Sequence, residues 1–254
     1  MRSPRFENKT ALVTGGGGGF GREISLLFGG EGAQVAVVDV NAGAAQETVD
    51  RVTAAGGRAD AYIVDLTDAD AVAALIAEVV DVYGQLDIAV NNAGIGGAMA
   101  PLAEYPIDTW HQVLDINLSS VFYCMRAELA AMVAQGTGGA IINTASIMST
   151  IAMPTISAYV ASKHAVLGLT RAAAVEYGSH GIRVNAVGPS FSRVGFTAAS
   201  LDDDAQWEGM AAQHPLGRTA RPLDVAGAVA YLASDEAAFV TGHLLGVDGG
   251  YINQ

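Results

Sequence analysis

The sequence predicts an α/β fold: a single domain built on a doubly wound, parallel seven-stranded sheet with helices on both faces. Three observations carry this expectation. Seven short, apolar, largely β-branched runs recur along the chain, as strands buried on both faces require. Most of the stretches between them are long enough, and rich enough in alanine, to form a helix that returns the chain in the same direction. No Pro/Ser-rich linker or charge run divides the 254 residues, a length that one α/β domain can reach.

The strands are expected at Thr10–Thr14, 34–40, 59–64, 86–91, Gly139–Thr144, 182–187 and Leu244–Val247. Asp68 stands before the apolar stretch 71–83, Asp108 before 113–133 and Ser157 before 160–177, and each is read as the N-cap of a helix. The last two helices carry small apolar residues nearly all round, more than a water-facing surface calls for. A homo-oligomer, with a tetramer as the expected form, would cover them.

Composition narrows the possible jobs. Half the chain is apolar (51%) and 15% is charged, enough to bury a core without metal or disulfide staples. Thirteen basic against twenty-six acidic residues give a net charge of −13, which repels phosphate backbones and anionic lipid. Nucleic-acid and membrane partners are therefore not expected. The lone cysteine, Cys124, has no second thiol to pair with. No apolar signal core precedes Lys9 and no run of about 18 apolar residues follows. The expected setting is cytoplasmic.

The first strand runs into Thr14 and five glycines, Gly15 to Gly19, followed by Phe20, Gly21 and a helical stretch. Between a strand and a helix N-terminus, glycine lets a dinucleotide pyrophosphate approach free N–H groups that a Cβ would obstruct. Gly15, Gly19 and Gly21 hold the spaced positions. Asp39, twenty-four residues beyond Gly15, ends the second strand and is placed to accept hydrogen bonds from the adenosine ribose hydroxyls. Its charge would repel a 2′-phosphate, and its neighbours Val38, Val40 and Asn41 bring no cation, so the expected cofactor is NAD.

Lys163 is one of two lysines in the chain and follows Tyr159 by four residues on a predicted helix. The two side chains share a face. Ser146 precedes the tyrosine by thirteen residues, after the fifth strand. Removing hydride from a secondary alcohol requires its hydroxyl proton to leave, and a phenol beside an ammonium can accept that proton and return it. A serine hydroxyl can donate to the substrate oxygen as charge develops there.

These motifs resemble the short-chain dehydrogenase/reductase family over nearly the whole chain. Thr14, Gly15, Gly19 and Gly21 resemble its cofactor loop, Asn91-Asn92-Ala93-Gly94 its strand-four motif, and Ser146, Tyr159 and Lys163 its catalytic set. The resemblance adds Asn117 as a fourth catalytic member, supporting a proton relay through water on Lys163. It implies cofactor contacts from Phe20, Asp65 and Leu66 (the acid at the adenine), Asn92, Ala93, Gly94 and Pro189. It also makes 190–215 a segment that covers the substrate.

The match weakens after Pro189, where Ser190 stands for the usual glycine and Val194 for the usual threonine. Apolar residues 95–99, Ile147, Met148, Ile151 and Met153 imply a neutral, rather apolar secondary alcohol or ketone as substrate. Arg193 is the one arginine placed to meet an acidic substrate. Reduction of a 3-oxoacyl thioester is the alternative enzymatic reading. A dinucleotide-binding sensor or scaffold without turnover is the alternative of another class. The five histidines lack metal-ligand spacing and are expected to serve surface or packing roles.

Overall fold

A computed structural model describes residues 4–200 and 203–253. Strand β1 (Thr10–Thr14), buried at every position, passes through the glycine loop into α1 (Gly19–Gly30). β2 (Gln34–Asp39), α2 (Ala42–Ala54), β3 (Arg58–Ile63), α3 (Ala69–Tyr83) and β4 (Ile88–Asn91) follow. Next come α4 (Ile107–Leu114), a π turn (Asp115–Ser119) and α5 (Ser120–Gln135), continuous in one helical stretch that leads to β5 (Gly139–Thr144). α6 (Ser157–Tyr177) leads to β6 (Ile182–Pro189), and α7 (Gly195–Ser200), α8 (Asp204–Ala212) and α9 (Pro222–Ala233) precede β7 (Leu244–Val247).

The seven strands are parallel in the order β3-β2-β1-β4-β5-β6-β7. The chain winds outward from β1 to β3, then returns to place β4 on the other side of β1. That reversal opens a crevice beyond the carboxyl ends of β1 and β4. Side chains alternate across the sheet with period two. Ala11, Val13, Val35 and Val37 pack with Ile24 and Phe28 of α1, Ala45 of α2 and Val225 and Val229 of α9. Leu12, Ala36 and Val38 face the opposite way, with Leu75 and Val79 of α3, Met125 and Leu129 of α5 and Val166 of α6. The fold is thus the single, doubly wound domain expected from the sequence.

Local details differ from that expectation. Asp68 does cap α3, accepting from the N–H groups of Asp70 and Ala71. Asp108, however, lies inside the first turn of α4, whose start at Pro106 has no side-chain cap. Ser157 is the first residue of α6, not the residue before it, and its hydroxyl is buried with no partner among the described residues. β2 ends at Asp39 because Val40 turns out to solvent, 71% exposed. β6 runs two residues further than expected, through Pro189, where proline's missing N–H is tolerated at a strand end. No helix among the described residues is long and apolar enough to cross a membrane.

The sheet centre holds a buried polar chain. Asn91 Nδ2 donates to Asn143 Oδ1 (3.0 Å) and to Glu128 Oε2 (3.1 Å), and Asn143 Nδ2 donates to Thr170 Oγ1 (2.9 Å). Burial without a cation pushes the Glu128 carboxyl up to about 8, against a lowering by Asn91. Below its ordinary range the carboxyl is protonated whether the chain is folded or unfolded. Between that range and about pH 8 the folded protein keeps a proton that the unfolded chain releases, so stability falls as pH rises. Glu128→Gln keeps an acceptor for Asn91 and cannot ionise. Thermal melts at pH 6 and pH 9 are expected to show a smaller loss of Tm in this variant than in the wild type, at about 2–4 °C per kcal/mol spared.

Candidate active site

The site is assembled at the carboxyl ends of the central strands, beginning with the glycine loop. Gly18 precedes α1 without a side-chain cap, and the first helical turn has no acid, so its N–H groups and dipole remain for an anion. Gly18 has open space where a side chain would project, and Gly19, at φ +52°, meets nothing nearer than Val194 at 3.8 Å. Gly21 serves a different end: a Cβ there would stand 2.1 Å from the Gly15 carbonyl oxygen. It brings α1 against the loop and does not line the cavity.

Hydrogen bonds hold this loop to its neighbours. Thr14 Oγ1 donates to the Val90 carbonyl (3.3 Å) and accepts from the N–H groups of Asn92 (2.9 Å) and Ala93 (3.2 Å). Asn92 Nδ2 returns to the Thr14 carbonyl at 3.0 Å. Asp39 accepts from Gly17 N–H and Asn41 N–H, both at 2.9 Å. Arg22 donates to the Gly17 carbonyl, although it is seventeen positions away from Asp39 in sequence. Its guanidinium is further engaged by Thr48 and by both oxygens of Glu47. A cation that shares Gly17 with Asp39 was thus invisible to an inspection of adjacent residues, and it is already paired.

A cavity of about 520 Å³ opens beside the loop. Gly15, Gly19, Phe20 and Asp39 line one end, with Asn92, Ala93 and Gly94 along the floor. Ser146, Tyr159, Lys163 and Pro189 line it as well, so most of the expected residues converge on one space. Asp65 and Leu66 do not line it: the Asp65 carboxylate is closed on Thr67 through its N–H (2.9 Å) and hydroxyl (2.7 Å). The glycine cradle, the uncapped helix N-terminus and the Asp39 carboxylate together fit a dinucleotide.

Tyr159 and Lys163 are 8% and 4% exposed. The ammonium lies 5.7 Å from the Tyr159 ring centre and donates to the Thr144 carbonyl at 2.7 Å. Burial pushes the phenol up to about 12, opposed by the Ser146 hydroxyl, and draws Lys163 down to about 8. The sequence reading has the ammonium making the phenol more acidic. In this structure desolvation outweighs that effect, and each group is moved towards its neutral form. Ser146 Oγ accepts from Met148 N–H at 3.1 Å, and Ser149 Oγ donates to the Lys163 carbonyl at 2.8 Å, pinning this turn to α6.

Asn117 is fully buried in the π turn. Its Oδ1 accepts from Ile95 N–H at 2.8 Å, and its Nδ2 donates to the Ile95 carbonyl at 2.9 Å and to Ser162 Oγ at 3.3 Å. Both amide ends are therefore engaged in clamping the segment after β4. Asn117 does not line the cavity but lies close behind it, since a Cβ at Gly94 would stand 3.2 Å from its oxygen and 3.7 Å from Lys163 Nζ.

The other wall comes from the segment after β6. Phe196 of α7 packs edge-on to Tyr159, ring centres 5.2 Å apart. Met99, Ile147, Met148, Met153, Ile156 and Met210 supply apolar lining. Arg193 does not face the cavity; it pairs with Asp204 at 2.8 Å and lies over Trp207 at 5.2 Å. Asp203 caps α8 through Gln206 N–H (2.7 Å), and no group among the described residues is arranged to hold a metal. Leu201 and Asp202, also in this segment, lie outside the described residues. Burial pushes the Cys124 thiol up, away from nucleophilic character.

Sequence reasoning singled out no chemistry at His214, which is 3% exposed and bonded through Nε2 to Ser190 Oγ at 2.8 Å. Ser190 standing where the resembled family has glycine was the one sequence signal there.

Residues 16–252 match the family described as Enoyl-(Acyl carrier protein) reductase. The chain is 44% identical over 254 residues to the cyclohexanol dehydrogenase of Acinetobacter sp. (strain SE19), covering 100% of this chain and 99% of that one. It is 43% identical over 247 residues to a 2,5-dichloro-2,5-cyclohexadiene-1,4-diol dehydrogenase of Sphingobium indicum, covering 97% and 98%. The carveol dehydrogenase of Mycobacterium avium, solved in complex with NAD, superposes with a TM-score of 0.92 at 31% identity over 99% of this chain and 100% of that one. With this fold, this cavity and these relatives, the chain belongs to the short-chain dehydrogenase/reductase family, oxidoreductases that work with a nicotinamide dinucleotide.

Proposed function

We propose that the protein is an NAD(H)-dependent dehydrogenase that interconverts neutral, ring-bearing secondary alcohols and their ketones. The observation that carries this reading is the meeting of Ser146, Tyr159 and Lys163 with the glycine loop and Asp39 in one largely apolar cavity. A bound nicotinamide ring supplies the hydride acceptor or donor. Tyr159 takes the alcohol proton at its phenolic oxygen during oxidation and returns it during reduction. Lys163 stabilises the phenolate as it forms, an attraction strengthened by the burial of both groups. Ser146 orients the substrate oxygen by donating a hydrogen bond. Asn117 acts by position, holding the Ile95 segment behind Lys163.

Oxidation needs the phenolic oxygen free to accept a proton and reduction needs it protonated, so oxidation gains as pH rises and reduction is favoured on the acid side. The substrate class is supported by relatives named for ring alcohols and by the methionine, isoleucine and phenylalanine lining. Among the described lining residues Lys163 is the one basic group, which gives little purchase to the phosphorylated carrier of an acyl thioester. The segment 190–215 serves as the substrate cover, Phe196 closing over Tyr159.

The preference for NAD rests on Asp39, whose charge opposes a 2′-phosphate, and on Arg22, which Glu47 already neutralises. Apolar side chains stay exposed on the outer surface, among them Phe122 of α5 (47%), Val175 of α6 (86%) and Leu223 of α9 (54%). They support assembly into a homo-oligomer.

Three outcomes are expected. Tyr159→Phe should lower kcat for cyclohexanol oxidation by at least about 10²-fold while NADH still binds, as read by nucleotide fluorescence; near-normal turnover would reject the proton-transfer role. In Asp39→Ala, the NADP to NAD ratio of kcat/KM should rise about tenfold or more, with Arg22 close by; an unmoved ratio would reject the cofactor assignment. Sedimentation velocity should give a mass above that of one chain, and a monomer at every concentration would remove the assembly.

A further inference from the structure

The far wall of the cavity carries polar groups that the proposed proton transfer leaves unused. Ser190 lines the cavity, and its hydroxyl lies 2.8 Å from His214 Nε2. His214 Nδ1 lies 2.7 Å from the Met210 carbonyl oxygen, and a carbonyl can only accept. The Nδ1 nitrogen therefore carries the ring proton, and in the neutral ring Nε2 is left as an acceptor. The Ser190 O–H must then donate to Nε2, which turns the remaining lone pairs of its oxygen to other partners. The imidazole is held between Phe191 and Tyr251, ring centres at 6.3 and 5.1 Å, so this orientation is fixed by packing. The Ser190 oxygen, on a residue that lines the cavity, thus keeps lone pairs free to accept a hydrogen bond.

A second hydroxyl stands two residues further on. Ser192 also lines the cavity, is 2% exposed, and its Oγ has no hydrogen-bond partner among the described residues. A buried hydroxyl left unpaired costs free energy that a ligand group can recover. One oriented acceptor and one buried, unpaired hydroxyl, on a wall otherwise made by Phe191, Met210 and Val194, match a group that both donates and accepts.

We propose that Ser190, oriented by His214, and Ser192 form a second polar subsite that binds a further hydroxyl on the ring of the substrate. The subsite selects ring diols, or alcohols bearing another hydroxyl, over plain ring alcohols. Ser190 and Ser192 touch the substrate, whereas His214 acts through Ser190 as a positioning residue and ties α8 to the wall through the Met210 carbonyl. This inference rests on the ring-alcohol reading above and refines it.

The test compares kcat/KM for cyclohexanol with that for cyclohexane-1,2-, 1,3- and 1,4-diol, using NAD, in the wild type and in Ser190→Ala, Ser192→Ala and His214→Leu. Wild-type enzyme is expected to favour at least one diol. Ser190→Ala should lower that diol-to-cyclohexanol ratio about tenfold, as a site built to hydrogen-bond loses its discrimination, and Ser190→Thr should restore it. Ser192→Ala should lower it in the same sense. His214→Leu should raise KM for the diol several-fold more than KM for cyclohexanol, a split that general loosening of the fold would not produce. NADH affinity, read by fluorescence, separates the substrate hydroxyl from the carboxamide of the cofactor as the partner of Ser190. If Ser190→Ala weakens NADH binding and lowers both substrates equally, the subsite belongs to the cofactor and the proposal falls. Cyclohexanol turnover with no diol activity, or with an unmoved ratio in Ser190→Ala, overturns the subsite alone. No turnover of any ring alcohol by the wild type overturns the substrate class and the subsite with it.

Discussion

An ammonium group almost shut away from water is the constraint around which this site is arranged. Lys163 is 4% exposed, donates to the Thr144 carbonyl and makes no ion pair among the described residues. Burial favours its neutral form, just as burial favours the neutral form of the Tyr159 phenol. Neither group could ionise cheaply alone in such a place. Together they can, because a phenolate and an ammonium relieve one another where water does not screen them. The machinery around them serves to hold that relation: Ser149 ties α6 to the serine turn, Asn117 clamps the segment behind the lysine, and Phe196 covers the phenol.

The scaffold supplies the place for this pair. Because β4 returns beside β1, the loops after both strands meet over a single crevice. Thr14 secures the meeting, one hydroxyl bridging the carbonyl of Val90 and the N–H groups of Asn92 and Ala93. The glycine loop and the strand-four motif are thereby locked together before any cofactor arrives.

Much of this was legible in the sequence, for reasons that are physical. The strands announced themselves as apolar runs because both faces of the sheet are covered. The glycine loop, Asp39 and the set of Ser146, Tyr159 and Lys163 were legible because their chemistry tolerates few other residue types at those spacings. What escaped depends on contacts between distant segments. Periodicity gives no sign that Arg22 reaches Gly17 and so approaches Asp39, or that His214 crosses to Ser190. The π turn at Asn117 is a hydrogen-bond register, not a composition, and the expected helix therefore read as unbroken across it. The direction of the Tyr159 shift was also out of reach, since spacing reports a neighbouring cation but not the depth at which both groups are buried.

The missing side chain at Gly21 has a consequence for how this protein can change over generations. The same vacancy that seats α1 on the sheet also sets where that helix points its uncapped amides. Any replacement there would disturb architecture and coenzyme affinity in a single stroke. A lineage therefore cannot exchange one property for the other at position 21, and divergence in substrate taste is left to the walls contributed after β6, which can vary without unseating the helix.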